Sequence, residues 1–336
     1  MKLGFLYAGQ GSQHPGMGAD LYETYPVFRQ VFDRVQEEVD FDLKQTCFQD
    51  PDGVLNQTRY TQPCMVAFAA GLTAVLKEKG FTPSAASGLS LGEYSALHAA
   101  GVFGAATAVK LVAFRGKAME EAAAGHDSAM MAVLNLDEDV LAEACKEASD
   151  LGVAVIANYN CPGQLVIGGD KAAVEKAAAI AKEKGARRCL PLKVSGPFHT
   201  PLMAPAGEAL RRYFEGISFG EPQIPVFFNC LGDSAAGPET RVPELLVRQV
   251  QSSVYMEQCI RNMAVGPIGV DALVEIGPGK ALSGFAKKTV PETPVCAVET
   301  AADVEGLAEA LRREVEKKDA EREAKLQAAV QKAKGE

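Results

Sequence analysis

Histidine is scarce in this chain, with four residues among 336, at positions 14, 98, 126 and 199. A general base drawn from histidine therefore has very few candidates. The eight cysteines form no Cys-x-x-Cys pair, and no histidine stands at metal-ligand spacing from them. That argues against a zinc or dithiol redox centre and for reduced, mostly buried thiols. Excess positive charge is also missing. The formal net charge is −9 and the pI about 5.2, which argues against nucleic acid or an anionic membrane as partner of the whole chain. No apolar stretch approaches membrane-spanning length, and Met1-Lys2 leads directly into a strand-like run rather than a signal segment. The expected location is the cytoplasm. No repeat of solenoid period is present.

What is there suits a globular enzyme. Hydrophobic residues make up 47% and charged residues 23%, ample for a core, and the length fits one large domain carrying a smaller inserted one. Leu3–Tyr7 reads as a buried strand running into the loop Ala8-Gly9-Gln10-Gly11-Ser12-Gln13. Helical patterns follow at 19–38 and 62–79, a strand at Ser84–Leu89, a helix directly after Ser90, and another over 104–124. Strands alternating with helices predict a parallel sheet. Residues 127–196 read instead as βαββαβ, the ferredoxin-like order, and are taken as an insertion. Strands at Pro225–Asn229 and Ala272–Ile276, with helices over 241–251, 256–264 and 280–288, complete the large domain, 1–126 plus 197–300. Residues 301–336 form a charged C-terminal extension. From Arg312 to Lys325, 11 of 14 residues are charged, which predicts a solvated terminal helix or a frayed tail.

The chemistry begins at Gly88-Leu89-Ser90-Leu91-Gly92, a Gly-x-Ser-x-Gly pentapeptide between a strand and a helix. A sharp strand-to-helix turn strains the central residue, and small flanking residues permit the close approach. Such a nucleophile elbow, on an α/β-hydrolase-like domain, would lift Ser90 Oγ above the sheet. It would also put Ser90 at a helix N-terminus, where the Leu91 amide can face a developing oxyanion. The bland reading of the same residues is a Gly-rich turn with a helix-capping serine.

Serine needs a neighbour to take its proton. His98 lies two helical turns beyond Ser90, pointing away from the helix start. His126 falls in a surface turn, and His14 in the first Gly-rich loop near the mouth of a site. His199 sits between two prolines in Gly196-Pro197-Phe198-His199-Thr200-Pro201, where the insert rejoins the large domain. Such junctions favour clefts. Spacing alone leaves a structural role for His199 open.

In order along the chain stand Gly9-Gln10-Gly11-Ser12-Gln13, Thr61-Gln62-Pro63, Gly88-Leu89-Ser90-Leu91-Gly92-Glu93-Tyr94 and Arg115. They are followed by Asn158-Tyr159-Asn160-Cys161-Pro162-Gly163-Gln164, Gly196-Pro197-Phe198-His199, Gln249 and Glu275-Ile276-Gly277-Pro278-Gly279. Through these motifs, up to about residue 300, the chain resembles the malonyl-CoA:acyl-carrier-protein transacylases of fatty-acid synthesis and the related acyltransferase domains of polyketide synthases. The resemblance implies Ser90 as nucleophile, His199 as its base, and the Gln249 backbone carbonyl, in place of an acid, as the group orienting the imidazole. It implies the amides of Gln10 and Leu91 as oxyanion donors, Arg115 as the clamp on a malonyl carboxylate, and Gln62 and Asn160 as substrate contacts. Arg115 follows the apolar run Leu111-Val112-Ala113-Phe114, where an unpaired charge is costly and a two-pronged carboxylate partner fits a guanidinium.

The implied substrates are malonyl-CoA and phosphopantetheinylated acyl carrier protein, with no cofactor, no metal, and a monomer as the working unit. Leu89 departs from the family's usual histidine before the nucleophile, which touches acyl selectivity and leaves nucleophile and base in place. The elbow alone fits a thioesterase or esterase equally well. A carrier-binding module with a dead site, or transfer of another acyl group such as methylmalonyl, are the remaining alternatives.

Overall fold

The computed structural model describes residues 1–234 and 241–335; residues 235–240, within the expected large domain, and 336, within the expected extension, lie outside the described residues. The chain opens with β1 (Leu3–Tyr7), α1 (Ala19–Thr24), α2 (Pro26–Val35), α3 (Leu43–Phe48), α4 (Thr58–Glu78), β2 (Pro83–Gly88), α5 (Gly92–Ala99) and α6 (Ala105–Ala123). The single helix expected over 19–38 is two, because Tyr25 precedes Pro26 and is extended, at φ −113° and ψ 113°. A residue before proline avoids the helical region, and proline suits the first position of the next helix. Helix α4 starts a turn earlier than expected and carries Pro63 inside it.

Next come β3 (Ser128–Leu134), α7 (Glu138–Glu147), β4 (Ala154–Cys161), β5 (Gln164–Asp170), α8 (Lys171–Glu183) and β6 (Arg188–Pro191). The chain ends with α9 (Ala204–Phe214), β7 (Val226–Phe228), β8 (Asp233–Ser234), α10 (Val242–Gln249), β9 (Val254–Tyr255), α11 (Met256–Val265), β10 (Ala272–Ile276), α12 (Ala281–Thr289), β11 (Val295–Val298) and α13 (Ala301–Gly335). The charged terminal stretch is thus helical. The helix is anchored by Val304, Leu307 and Leu311, which are buried, and its charged part follows those anchors.

Two sheets result. The larger has the order β11-β10-β1-β2-β7-β8 and is parallel except for the β7–β8 pair. Its central strands β1 and β10 are buried along their whole length, as a sheet covered on both faces requires. Alternation splits the core accordingly. Phe5 and Tyr7 join the cluster around Phe28, Phe68 and Leu111, whereas Leu6 faces Phe227, Met256 and Ile260 on the other side. The smaller sheet runs β6-β3-β5-β4-β9. Its strands β3 to β6 are antiparallel and pack α7 and α8 over their own apolar cluster. Strand β9, unforeseen from sequence because it is only two residues long, arrives from the C-terminal part of the chain and pairs parallel with β4.

From β1 the chain steps to β2 and then β7 on one side, and it later returns to place β10 and β11 on the other side of β1. The crevice at the carboxyl ends of strands flanking such a switch is where open α/β sheets place ligands. Three loops meet there. Ala8 N–H donates to Ile276 O at 3.1 Å, and Leu89 N–H to Tyr7 O at 3.0 Å. The tight turn after β2 explains both of its glycines. A Cβ on Gly88 would lie 2.1 Å from the Gly92 backbone, and one on Gly92 would lie 2.3 Å from Tyr7 O. Backbone cannot retreat cheaply, so Gly92→Ala is expected to cost on the order of 1–3 kcal/mol or more of stability, read as a lowered midpoint in denaturant. An unchanged midpoint would show that the turn has slack.

Candidate active site

Ser90 has φ +55°, a left-handed conformation seldom adopted by residues other than glycine. The strain of the elbow is thus real at the residue the motif singles out. His199 is likewise at φ +60°, between its two prolines. Although 109 positions apart, the two side chains meet: His199 Nε2 lies 2.8 Å from Ser90 Oγ, and His199 Nδ1 lies 2.9 Å from the Gln249 carbonyl. A carbonyl only accepts, so Nδ1 carries the imidazole proton and Nε2 presents its lone pair to the serine. Arg115 Nη2 donates to Ser90 Oγ at 3.0 Å. The hydroxyl proton is then left for Nε2, the arrangement that general-base activation of a serine needs.

Arg115 is completely buried. Its remaining contacts are neutral: Nη1 donates to Gln62 Oε1 at 2.9 Å and Nη2 to Gln249 Oε1 at 3.0 Å, while Nε has no hydrogen-bond partner. The guanidinium carbon stands 5.6 Å from the Tyr94 ring centroid. Among the described residues no carboxylate forms an ion pair with it. Gln249 serves three groups at once, since its Nε2 also donates to Ser90 O at 2.8 Å. Gln62 completes its own bonding on Met119 Sδ, at 3.3 Å, so here it braces the arginine.

The backbone N–H groups of Gln10 and Leu91 find no acceptor within the described residues. Their loops touch, because a Cβ on Gly9 would fall 2.8 Å from Leu89 O. The Gln10 side chain turns aside to Thr58 Oγ1, at 3.1 Å. Leu89 packs partly buried beside the Leu6–Phe227 cluster, an apolar contact at the position where the family resemblance led one to expect a ring. Asn160 does not join the Ser90 cluster through any hydrogen bond; it is buried, and its Oδ1 is unpartnered. The other histidines stay apart: His14 pairs with Glu299 at 2.5 Å, His98 Nδ1 with Phe103 O at 3.0 Å, and His126 is exposed.

Burial, and next the nearby Arg115 charge, push the His199 pKa down from 6.5 to about 4. Glu93 is driven the opposite way by burial, up to about 8, so it is protonated at neutral pH. One residue that sequence reading passed over is Asn229, fully buried just beyond β7. It holds the elbow from behind, and a lone asparagine at the end of a short strand gives no sequence signal.

The structure thus gathers a strained serine, an imidazole, a buried cation and two backbone amides that have no acceptor among the described residues. Residues 4–334 match the acyl transferase domain family. A malonyl CoA-acyl carrier protein transacylase of Haemophilus influenzae is 41% identical over 92% of this chain and 99% of its own. The crystal structure of MCAT from Streptococcus pneumoniae superposes with TM-score 0.87 at 43% identity, covering 92% of this chain and 99% of that one. A type II PKS malonyl-transacylase solved with its acyl-carrier protein gives TM-score 0.87 at 39% identity over 93% and 100%. The chain belongs to the malonyl-CoA:acyl-carrier-protein transacylase family and is an acyltransferase.

A base must be neutral to accept a proton, and His199 is neutral above its folded value. The pH profile of kcat/KM is therefore expected to drop as pH falls through about 4, to be level from about pH 6 to 7, and to bend again as Glu93 ionises near 8. Because unfolding restores the ordinary value of 6.5, the proton prefers the unfolded chain, and stability should also decline as pH falls from 6.5 to about 4. A profile centred near 6.5 would contradict this burial.

Proposed function

We propose that this enzyme transfers a malonyl group from malonyl-CoA to the phosphopantetheine thiol of acyl carrier protein, through an ester on Ser90. The observation that carries the reading is the buried Arg115 guanidinium, 3.0 Å from Ser90 Oγ and without an acidic partner among the described residues. A desolvated cation of this kind gains most from a carboxylate. Malonate places a carboxylate one methylene away from the carbonyl that Ser90 attacks, so one short acyl group can meet both. Gln62, Gln249 and Ser90 supply only neutral oxygens, which a bidentate carboxylate outcompetes.

In the first half-reaction His199 takes the Ser90 proton as Oγ adds to the thioester carbonyl. The amides of Gln10 and Leu91 receive the oxyanion, each contributing roughly 3 kcal/mol in comparable sites. Collapse expels coenzyme A, protonated by His199. The carrier thiol then enters, gives its proton to His199 and adds to the ester carbonyl; collapse breaks the bond to Ser90 Oγ, which takes that proton back from His199 and completes a ping-pong cycle. The chemistry calls for no cofactor. The acyl carrier protein as acceptor is supported by the relative solved with its own carrier.

We also read residues 1–126 with 197–300 as an α/β-hydrolase-like catalytic unit and 127–196 as a ferredoxin-like insertion. The antiparallel order β6-β3-β5-β4 and a separate apolar cluster support the latter. The working state is read as a cytoplasmic monomer. Among the described residues no helix is long and apolar enough to cross a membrane.

Intact-mass spectrometry tests the reading. Malonyl-CoA should add one malonyl group, holo carrier protein should remove it, and Ser90→Ala should abolish the adduct. Label persisting in Ser90→Ala would sink the assignment. Free malonate without carrier loading would favour the hydrolase. Arg115→Ala should lower kcat/KM for malonyl-CoA by on the order of a hundredfold or more, the loss of a charge-assisted bidentate contact, while acetyl-CoA changes far less. Equal losses would remove the clamp, and a faster reaction with methylmalonyl-CoA would redefine the substrate.

A further inference from the structure

Asn229 has no part in the acyl-transfer steps above, yet it is fully buried and all of its hydrogen-bonding groups are engaged around the nucleophile. Its Oδ1 accepts from Ser90 N–H at 2.7 Å, and its Nδ2 donates to Gly88 O at 2.7 Å. Those partners fix the amide's orientation, since an N–H only donates and a carbonyl only accepts. Its own N–H donates to Glu93 Oε2 at 2.7 Å, and its carbonyl accepts from Tyr255 N–H at 2.8 Å. A closed ring results, from Ser90 through the first turn of α5 to Glu93, across to Asn229, and back to Ser90.

We infer that Asn229 is a positioning residue for the nucleophile, holding Ser90 in its left-handed conformation by bridging the backbone on either side of Leu89. The inference rests on Ser90 being the acylated residue. Without the amide, Ser90 N–H and Gly88 O both lose this partner in a part-buried corner. The turn then relaxes by the shortest route, rotation of the strained Ser90, which moves Oγ off His199 Nε2. A displacement near 1 Å costs about a hundredfold in such chemistry. Substrate binding through Arg115 is spared, so the loss falls on kcat and not on KM.

Asn229→Asp gives a sharper signature than deletion. A carboxylate still accepts from Ser90 N–H, but its second oxygen faces the Gly88 carbonyl and must carry a proton to bond it. The ionisable groups around this corner are Glu93 on α5, Arg115 on α6, His199, and the thiols Cys230 and Cys259. Of these only Glu93 hydrogen-bonds to Asn229. Burial favours the protonated acid at low pH and opposes ionisation as pH rises.

Purified full-length wild type, Asn229→Leu and Asn229→Asp would be compared at about pH 5 to 9, with far-UV circular dichroism and melting curves at each pH. Two readouts are taken: the rate of acylation by malonyl-CoA and the rate of Ser90 labelling by a small fluorophosphonate. Asn229→Leu should lose about a hundredfold in both rates, with KM for malonyl-CoA changed little. Asn229→Asp should approach wild type at the acid end and fall progressively as pH rises. The inference is overturned by a folded Asn229→Leu that labels at the wild-type rate, or by an Asp-to-wild-type rate ratio independent of pH. If the Leu variant does not fold, the Asp ratio decides alone. Wild type that reacts with fluorophosphonate but not with malonyl-CoA would defeat the substrate reading, while the fluorophosphonate rates still judge Asn229.

Discussion

Ser90 sits in a backbone conformation that its side chain disfavours, and the surrounding residues share the work of keeping it there. From below, the approach of α5 to strand β1 leaves no room for a Cβ on Gly88 or Gly92. From behind, Asn229 occupies the flanking N–H and C=O, and from one side Gln249 donates to the Ser90 carbonyl. Strain of this sort persists only where the environment over-determines it. Once the turn is fixed, its neighbours follow. The Leu91 amide has no acceptor among the described residues, α5 begins at once, and Oγ projects toward the segment where two prolines present His199.

Among the described residues, the charged side chain that hydrogen-bonds to Ser90 is the Arg115 cation. A carboxylate behind the imidazole would raise its basicity, but it would also stand close to Arg115 and claim the guanidinium that an acidic substrate must reach. Using the Gln249 carbonyl fixes the tautomer without introducing that competitor. Burial first, and the Arg115 charge next, leave that imidazole with a pKa depressed to about 4, which the Gln249 hydrogen bond only partly offsets. Burial pushes Glu93, whose charge acts on Arg115, up to about 8, which weakens its claim on the arginine. One glutamine thus offers its backbone to His199 and its side chain to both Arg115 and Ser90.

Much of this was legible beforehand, and for identifiable reasons. Glycine, proline and scarce histidines mark positions by what their backbones and rings can do, so the elbow and the His199 segment stood out. The alternating strand and helix patterns located β1, β2, β10 and the βαββαβ stretch. Legibility failed where long-range partners decide. The two-residue β9 exists only because β4 lies beside it, and Asn229 acquires meaning only from a backbone 139 residues away. Gln62 was marked by its motif, but its contact in the free enzyme is the arginine. Asn160 carries a matching motif, while its unpartnered oxygen makes no bond to the serine group.

Strand β9 also makes the molecule mechanically continuous. Tyr255 N–H holds the Asn229 carbonyl, its neighbour Val254 pairs with Asn158, and Ser253 Oγ donates to the Ile156 carbonyl at 2.7 Å. Three consecutive residues therefore fasten the antiparallel sheet to the residue bracing the nucleophile. The antiparallel sheet and the residue that braces the Ser90 backbone are thus joined by a strut rather than separated by a hinge.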